Sequence, residues 1–266
     1  MPDCRYVAAN LTDLHAEPSF LSELLTQVMN GVRLEVLGEK EKWVRVRQDD
    51  GYEGWAYGPY LTTESPPEPT HIVALEAMIG VVGDHQGTLL GRLLCGTKVH
   101  VSKIDKDGLA HVRPAGGLVP AGVIAAPLLR ELSTLPFPPK RAREQIIADA
   151  RYLIGTYYLW GGSSAWGIDC SGLAQLVYRL SGYTIPRDAK LQFPVGKPVE
   201  PPFEPGDLLF FHSETDKSRI THVGISTGGW LIIHSSRARN GVYEEDVQST
   251  PHLKSTFAGA RSTLVR

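Results

Sequence analysis

The stretch Tyr158-Leu159-Trp160-Gly161-Gly162, followed by Ile168-Asp169-Cys170-Ser171-Gly172-Leu173, decides how this chain is read. After Cys170, the residues Leu173, Leu176, Val177 and Leu180 recur with the period of an amphipathic helix, and Gly182 stands where such a helix would stop. Cys170 then sits in the first helical turn, where unpaired N–H groups carry partial positive charge. That charge favours thiolate over thiol and is expected to lower a pKa otherwise near ~8.5. Most cysteines are simply buried structural residues. The aromatic-Gly-Gly before this one and the Asp-Cys-Ser-Gly around it point instead to a nucleophile.

A thiol nucleophile needs a base. Downstream, Asp207-Leu208-Leu209-Phe210-Phe211, Thr221-His222-Val223-Gly224-Ile225 and Trp230-Leu231-Ile232-Ile233-His234 read as strands, with a last one near Gly259 to Val265. His222 and His234 fall on consecutive strands, and neighbouring strands lie only ~4.8 Å apart, so the two imidazoles can touch. His222 is expected to take the thiol proton and return it to the leaving amine, with His234 holding its other ring nitrogen. His15, His71, His85, His100, His111, His212 and His252 are read as ordinary polar residues. The backbone N–H of Cys170 at a helix start is a natural oxyanion donor; the sequence does not identify a second. Cys170, His222, His234 and Asp169 are legitimate zinc ligands, yet there is no paired-cysteine or His-Glu-x-x-His motif, so no metal or cofactor is expected.

Upstream, the linker Leu135-Pro136-Phe137-Pro138-Pro139 precedes a helix with Ile146, Ile147, Ala150, Leu153 and Ile154 on one apolar face. Helices first and adjacent strands after predict an α+β domain over 140–266.

The N-terminal half reads differently. Over 1–63, Val32 to Leu37, Trp43 to Arg47 and Tyr52 to Ala56 form short strands between turns, the pattern of a small β-barrel. Beyond the linker Ser65-Pro66-Pro67-Glu68-Pro69, Gly96-Thr97-Lys98-Val99-His100-Val101 echoes Gly31-Val32-Arg33-Leu34-Glu35-Val36, so a second barrel is expected over 70–130. Gly51-Tyr52-Glu53-Gly54-Trp55, with Gln27-Val28-Met29-Asn30-Gly31 upstream, resembles a bacterial SH3 domain. The second copy has Gly117-Leu118-Val119-Pro120-Ala121 in place of the aromatic tip and is degenerate there. Trp55 is read as a core aromatic.

Composition sets outer limits. The 266 residues are 42% hydrophobic and 21% charged, ordinary for a globular protein. The net charge of −2 gives no general attraction to nucleic acid or an anionic membrane. Met1-Pro2-Asp3-Cys4-Arg5 resembles no signal peptide, and no apolar run approaches the ~18 residues of a membrane span. Cys4, Cys95 and Cys170 are odd in number and widely spaced, which fits a reducing compartment, with Cys4 and Cys95 structural. The expectation is a cytoplasmic protein with no obligatory protein partner.

Residues 140–266 resemble the NlpC/P60 family of papain-like cysteine peptidases, which cut bacterial peptidoglycan peptides. The resemblance rests on Tyr158 to Gly162, Asp169 to Gly172, Pro186-Arg187-Asp188, Pro205-Gly206-Asp207-Leu208, His222-Val223-Gly224 and His234-Ser235, in that order. With two SH3-like barrels in front, the chain is similar to the cytoplasmic γ-D-glutamyl-L-diamino acid endopeptidases of murein recycling. The resemblance implies a peptide substrate with a free N-terminal L-alanine followed by γ-D-glutamate. It implies that Tyr52, with Glu17 beside it, meets the substrate amine, that Asp169 is the ammonium's anionic partner with Ser171 as a hydrogen-bonding neighbour, and that Trp160 walls the site. Asp169 could cap its helix at the same time. Arg187 and Asp188 are expected to organise the loop facing the glutamate carboxylate, although a surface ion pair would look the same. Some family members carry serine where this chain has Ala189.

The function expected is a cysteine endopeptidase cleaving the γ-D-glutamyl bond to the diamino acid of murein peptides. Two alternatives stand beside it: an exported hydrolase of intact cell wall, and a non-catalytic cell-wall peptide-binding protein.

Overall fold

The structure, a computed structural model, describes residues 3–84 and 87–264. His85 and Val265, both used in reading the sequence, lie outside the described residues. Two compact units divide the chain, Met1–Thr134 and Leu135–Arg266.

In the first unit, seven strands form one sheet: β1 (Cys4–Val7), β2 (Leu11–His15), β3 (Leu24–Met29), β4 (Arg33–Lys40), β5 (Trp43–Arg47), β6 (Glu53–Tyr57) and β7 (Leu61–Thr62). Their order is β3-β2-β6-β5-β4-β1-β7. A second sheet follows from β8 (His71–Val73), β9 (Ala77–Gly80), β10 (Leu89–Leu93), β11 (Lys98–Ile104), β12 (Leu109–Arg113), β13 (Gly122–Ala125) and β14 (Leu129–Glu131). Its order, β10-β9-β13-β12-β11-β8-β14, repeats that of the first strand for strand. Each sheet closes on its own apolar core: Val7, Leu14, Leu34, Val44, Val46 and Ala56 in one, Val73, Ile79, Val99, Ala110, Val112 and Ile124 in the other.

Strand alternation overturns one expectation. On β6 the buried positions are Gly54 and Ala56, because a side chain at Gly54 would collide with Leu14, so Trp55 between them faces away from the core. The buried tryptophan is Trp43, packed against His15, Phe20 and Tyr57. Within this unit Asn30 ties the two sheets together. Its Nδ2 donates to the carbonyls of Ala8 and Ala115, and the Ala115 N–H donates back to Oδ1 at 2.8 Å.

The second unit opens with α1 (Pro139–Tyr152), whose buried face holds Ile146, Ile147 and Ala150. Leu153 is buried just beyond it, whereas Ile154, expected on the same face, lies past the helix end and is 46% exposed. A short hairpin, β15 (Ser163–Ser164) and β16 (Gly167–Ile168), leads into α2 (Cys170–Leu180). After α3 (Ala189–Gln192) come β17 (Lys197–Val199), β18 (Leu208–His212), β19 (Ile220–Gly228), β20 (Leu231–Ser236) and β21 (Gly241–Asp246), then α4 (Pro251–Thr256) and β22 (Phe257–Ser262). The antiparallel sheet runs β17-β22-β18-β19-β20-β21, and α2 packs on β19 and β20. Leu173, Leu176, Val177 and Leu180 are buried in that contact face, and Gly182, at φ +85°, ends the helix as its position predicts. The last strand starts earlier than the expected 259–265 span, at Phe257, and is described as far as Ser262. Helices before an antiparallel sheet make this unit α+β.

Candidate active site

Cys170 is the first residue of α2, and Asp169 is its N-cap: the Gly172 N–H donates to Asp169 Oδ1 at 2.7 Å. Glycines make the approach possible. A Cβ on Gly172 would overlap the Gly162 carbonyl, and one on Gly162 would overlap the Gly167 carbonyl, so the Gly161-Gly162 turn can lie directly against the helix start. The Ser235 hydroxyl donates to the Ile168 carbonyl at 2.7 Å, which pins the entry to α2 beside β20.

Across from the helix, His222 on β19 and His234 on β20 meet, Nε2 to Nδ1, at 2.8 Å. The register Ile225↔Ile233 makes them diagonal neighbours on one face of the sheet. With the proton assigned to His222 Nε2, it donates to His234 and leaves Nδ1 of His222 as the basic nitrogen. His234 is wholly buried, and its ring stands 4.6 Å from that of Tyr243. Its Nε2 lies 3.3 Å from Glu245 Oε2, out of line for a well-formed hydrogen bond.

Protonation follows from desolvation. Burial, then the Asp169 charge, pushes the Cys170 thiol up to about 12, against the opposing N–H groups of Val223 and Ser171. Burial, then His252, brings His222 down to about 4, and burial with His222 brings His234 down to about 2. The lowered thiol pKa expected from the helix start is therefore not what this site gives. Its N-terminal donors are present, but they are outweighed by desolvation and by the adjacent carboxylate. A lone thiolate and a lone imidazolium are each disfavoured here.

Asp169 and Arg187 form one buried pair. Arg187 is buried, 2% exposed, and grips Asp169 through Nη1 on Oδ1 at 3.0 Å and Nη2 on Oδ2 at 2.7 Å. It also donates to the Ser171 hydroxyl and the Gly162 carbonyl. Oδ1 accepts from the Ser171 hydroxyl and Oδ2 from the Gly161 N–H as well. Both oxygens of Asp169 thus accept hydrogen bonds within the cluster, and a guanidinium stands against its charge. Arg187 is no surface ion pair: it is buried and ties Asp169, the Ser171 hydroxyl and the Gly162 carbonyl together. Ser171 belongs to the same buried cluster. Asp188, by contrast, keeps 29% side-chain exposure at the start of α3, with Lys190 Nζ 3.8 Å away. Ala189 beside it is buried, so the missing hydroxyl lies at a closed position.

Trp160 is 51% exposed, and the Arg237 guanidinium lies 5.4 Å from its ring and 5.4 Å from that of Tyr158. Tyr158 holds its phenol proton more tightly than usual because of burial and the charges of Cys170 and Asp169. In the first unit His15 pairs with Trp55, so the chain after His15 and the chain before Trp55 reach one end of the sheet. Glu17 and Tyr52 share that end. Glu17 is exposed in a turn held by the Ser22 hydroxyl, and the Tyr52 N–H donates to Asp50 Oδ1 at 3.0 Å. Sequence reasoning missed Tyr158, although it opens the quoted motif, and it missed Glu245, whose strand carries too many charges to announce itself. Among the described residues no cluster of three or more His, Cys, Asp or Glu side chains is placed to hold a metal ion, and no helix is long and apolar enough to cross a membrane.

A cysteine at the start of a helix packed on the two strands that carry linked histidines is an arrangement that thiol hydrolysis can use. Residues 155–261 match the NlpC/P60 family and residues 10–62 match the bacterial SH3 domain. The chain is 30% identical to a γ-D-glutamyl-L-lysine dipeptidyl-peptidase of Bacillus subtilis over 82% of its own length and 74% of that protein's. It is 29% identical to dipeptidyl-peptidase 6 of Lysinibacillus sphaericus, over 89% of each. A solved NlpC/P60 family protein from Bacillus cereus shares the fold, with a TM-score of 0.86 at 22% identity over 98% of this chain and 100% of that one. The chain belongs to the NlpC/P60 family of peptidases, with a bacterial SH3 domain ahead of the family domain.

Proposed function

We propose that the protein is a cysteine endopeptidase that hydrolyses the γ-D-glutamyl bond to the diamino acid in murein peptides with a free N-terminal L-alanine. The observation that carries the reading is the 2.8 Å link between His222 and His234 on strands packed against the helix that Cys170 begins. In the proposed reaction Sγ of Cys170 attacks the γ-carbonyl carbon while His222 takes its proton. The oxyanion accepts hydrogen bonds from the Cys170 N–H and the Tyr158 hydroxyl. Collapse expels the diamino acid's amine with the proton from His222, and water then hydrolyses the thioester by the same route.

The substrate reading draws on the names of the two relatives and on the site's charges. Beside the Arg187 guanidinium, the carboxylate we assign to the substrate ammonium is Asp169, with Ser171 as its hydrogen-bonding neighbour, Tyr52 and Glu17 as the first barrel's contribution and Trp160 as an apolar wall, while Arg187 and Asp188 organise the loop facing the glutamate carboxylate. We read the chain as three domains, SH3-like barrels over 1–63 and 70–130 and a papain-like peptidase domain over 140–266; the identical strand order of the two N-terminal sheets supports the count. A cytoplasmic recycling role completes the reading. The test is a comparison of L-Ala-γ-D-Glu-L-lysine with its N-acetylated form. Cleavage of the first alone, abolished by Cys170→Ala, is expected, and preference for the blocked peptide would sink the free-amine reading.

A further inference from the structure

Beside the linked histidines lies a cleft of about 440 Å³ that the preceding description leaves unused, with His222 on its wall. Phe211 and Leu253, both buried, supply apolar surface, and Thr215, His252 and Glu214 line it further out. Glu214 is the one carboxylate among the described residues lining the cleft, and no lysine or arginine joins it there. The volume falls in the range of small-molecule sites, ~300–1,000 Å³.

Position relative to His222 gives the cleft its meaning. The departing amine must lie within hydrogen-bond reach of the imidazole that protonates it, ~2.6–3.2 Å. The residue on the amine side of the cut bond therefore begins at His222, and its side chain enters the space that His222 borders. We infer that this cleft receives the side chain of the departing diamino acid, its methylenes against Phe211 and Leu253 and its terminal ammonium at Glu214. Apolar stem and single counter-charge match a long cationic side chain. The inference rests on the proposed function and adds the leaving-group subsite to it.

The test uses the full chain with L-Ala-γ-D-Glu-L-lysine and with the same peptide ending in L-norleucine, which keeps the methylenes and lacks the ammonium. Wild type is expected to favour lysine in kcat/KM by about fivefold, the size of one partly exposed ion pair. In Glu214→Gln that ratio should fall to about one, and in Glu214→Lys it should invert. Glu214 is exposed, so neither change removes a buried contact. A wild-type ratio of one, or a ratio that survives both substitutions, overturns the subsite. Failure of wild type to cut either peptide would sink the proposed function instead.

Discussion

Arg187 holds Asp169 by both carboxylate oxygens, at 3.0 and 2.7 Å, in the interior of the second unit. The pair fixes the residue that caps α2 and so fixes Cys170 beside it. Removing one partner leaves an uncompensated charge where water cannot reach. Arg187→Met is expected to cost about 3–5 kcal/mol. Urea unfolding should show the loss as a lower midpoint at unchanged slope, with part of it recovered when Asp169→Asn is added. An Arg187→Met midpoint equal to wild type would mean that the pair does not brace the helix start.

The elevated Cys170 thiol and depressed His222 imidazole make a neutral pair in the resting site. The thiolate absorbance difference between wild type and Cys170→Ser is expected to be absent between about pH 5 and 8. For activity the signs run together. His222 works as a base only when unprotonated, and its pKa of about 4 keeps it so well below the ordinary ~6.5. The acid limb of kcat/KM should lie near pH 4, with activity lost as pH falls through it. A limb at ~6.5 would show that His222 is solvated like a free histidine.

The same shift reaches stability. Unfolded, His222 and His234 titrate near ~6.5; folded, at about 4 and about 2. Below ~6.5 the unfolded chain therefore binds more protons, and stability falls as pH drops toward 4 and continues to fall toward 2. Above ~6.5 the contribution of both imidazoles is complete. Urea midpoints at pH 7.5 and 5 should differ in that sense, with His222→Gln showing a shallower dependence than wild type.

Much of this was legible in the chain because the signals were local. Cys170, the helix after it and its glycine stop follow from a periodicity of a few residues, and His222 and His234 lie on strands apolar enough to read. The partner of Asp169 could not be read, because it stands 18 residues away on a loop and any Arg-Asp dipeptide suggests a surface pair. Trp55 misled because burial on β6 is decided by the close approach of Leu14 to Gly54, not by the hydrophobicity of the aromatic. The strand Gly241–Asp246 escaped because it is the edge of the sheet, where Glu244, Glu245 and Asp246 replace the apolar alternation of a central strand.

That edge strand carries the last prediction. Tyr243 and Glu245, two residues apart, share the face of β21 that covers His234, and Arg239 Nη2 lies 3.5 Å from Glu245 Oε1. In the proposed reaction His222 takes the thiol proton, positive charge spreads toward His234, and Glu245 is the carboxylate placed to oppose it through Nε2. The 3.3 Å separation is off line, so its effect is less than that of a full charge-assisted hydrogen bond, about 1 kcal/mol. Glu245→Gln should lower kcat by about fivefold with KM unchanged and move the acid limb of the pH profile downward, since the imidazolium loses its counter-charge. Glu245→Asp should restore part of the rate. If Glu245→Gln alters KM or the unfolding midpoint while leaving the pH profile in place, the residue only packs against Tyr243 and takes no part in holding the histidine pair.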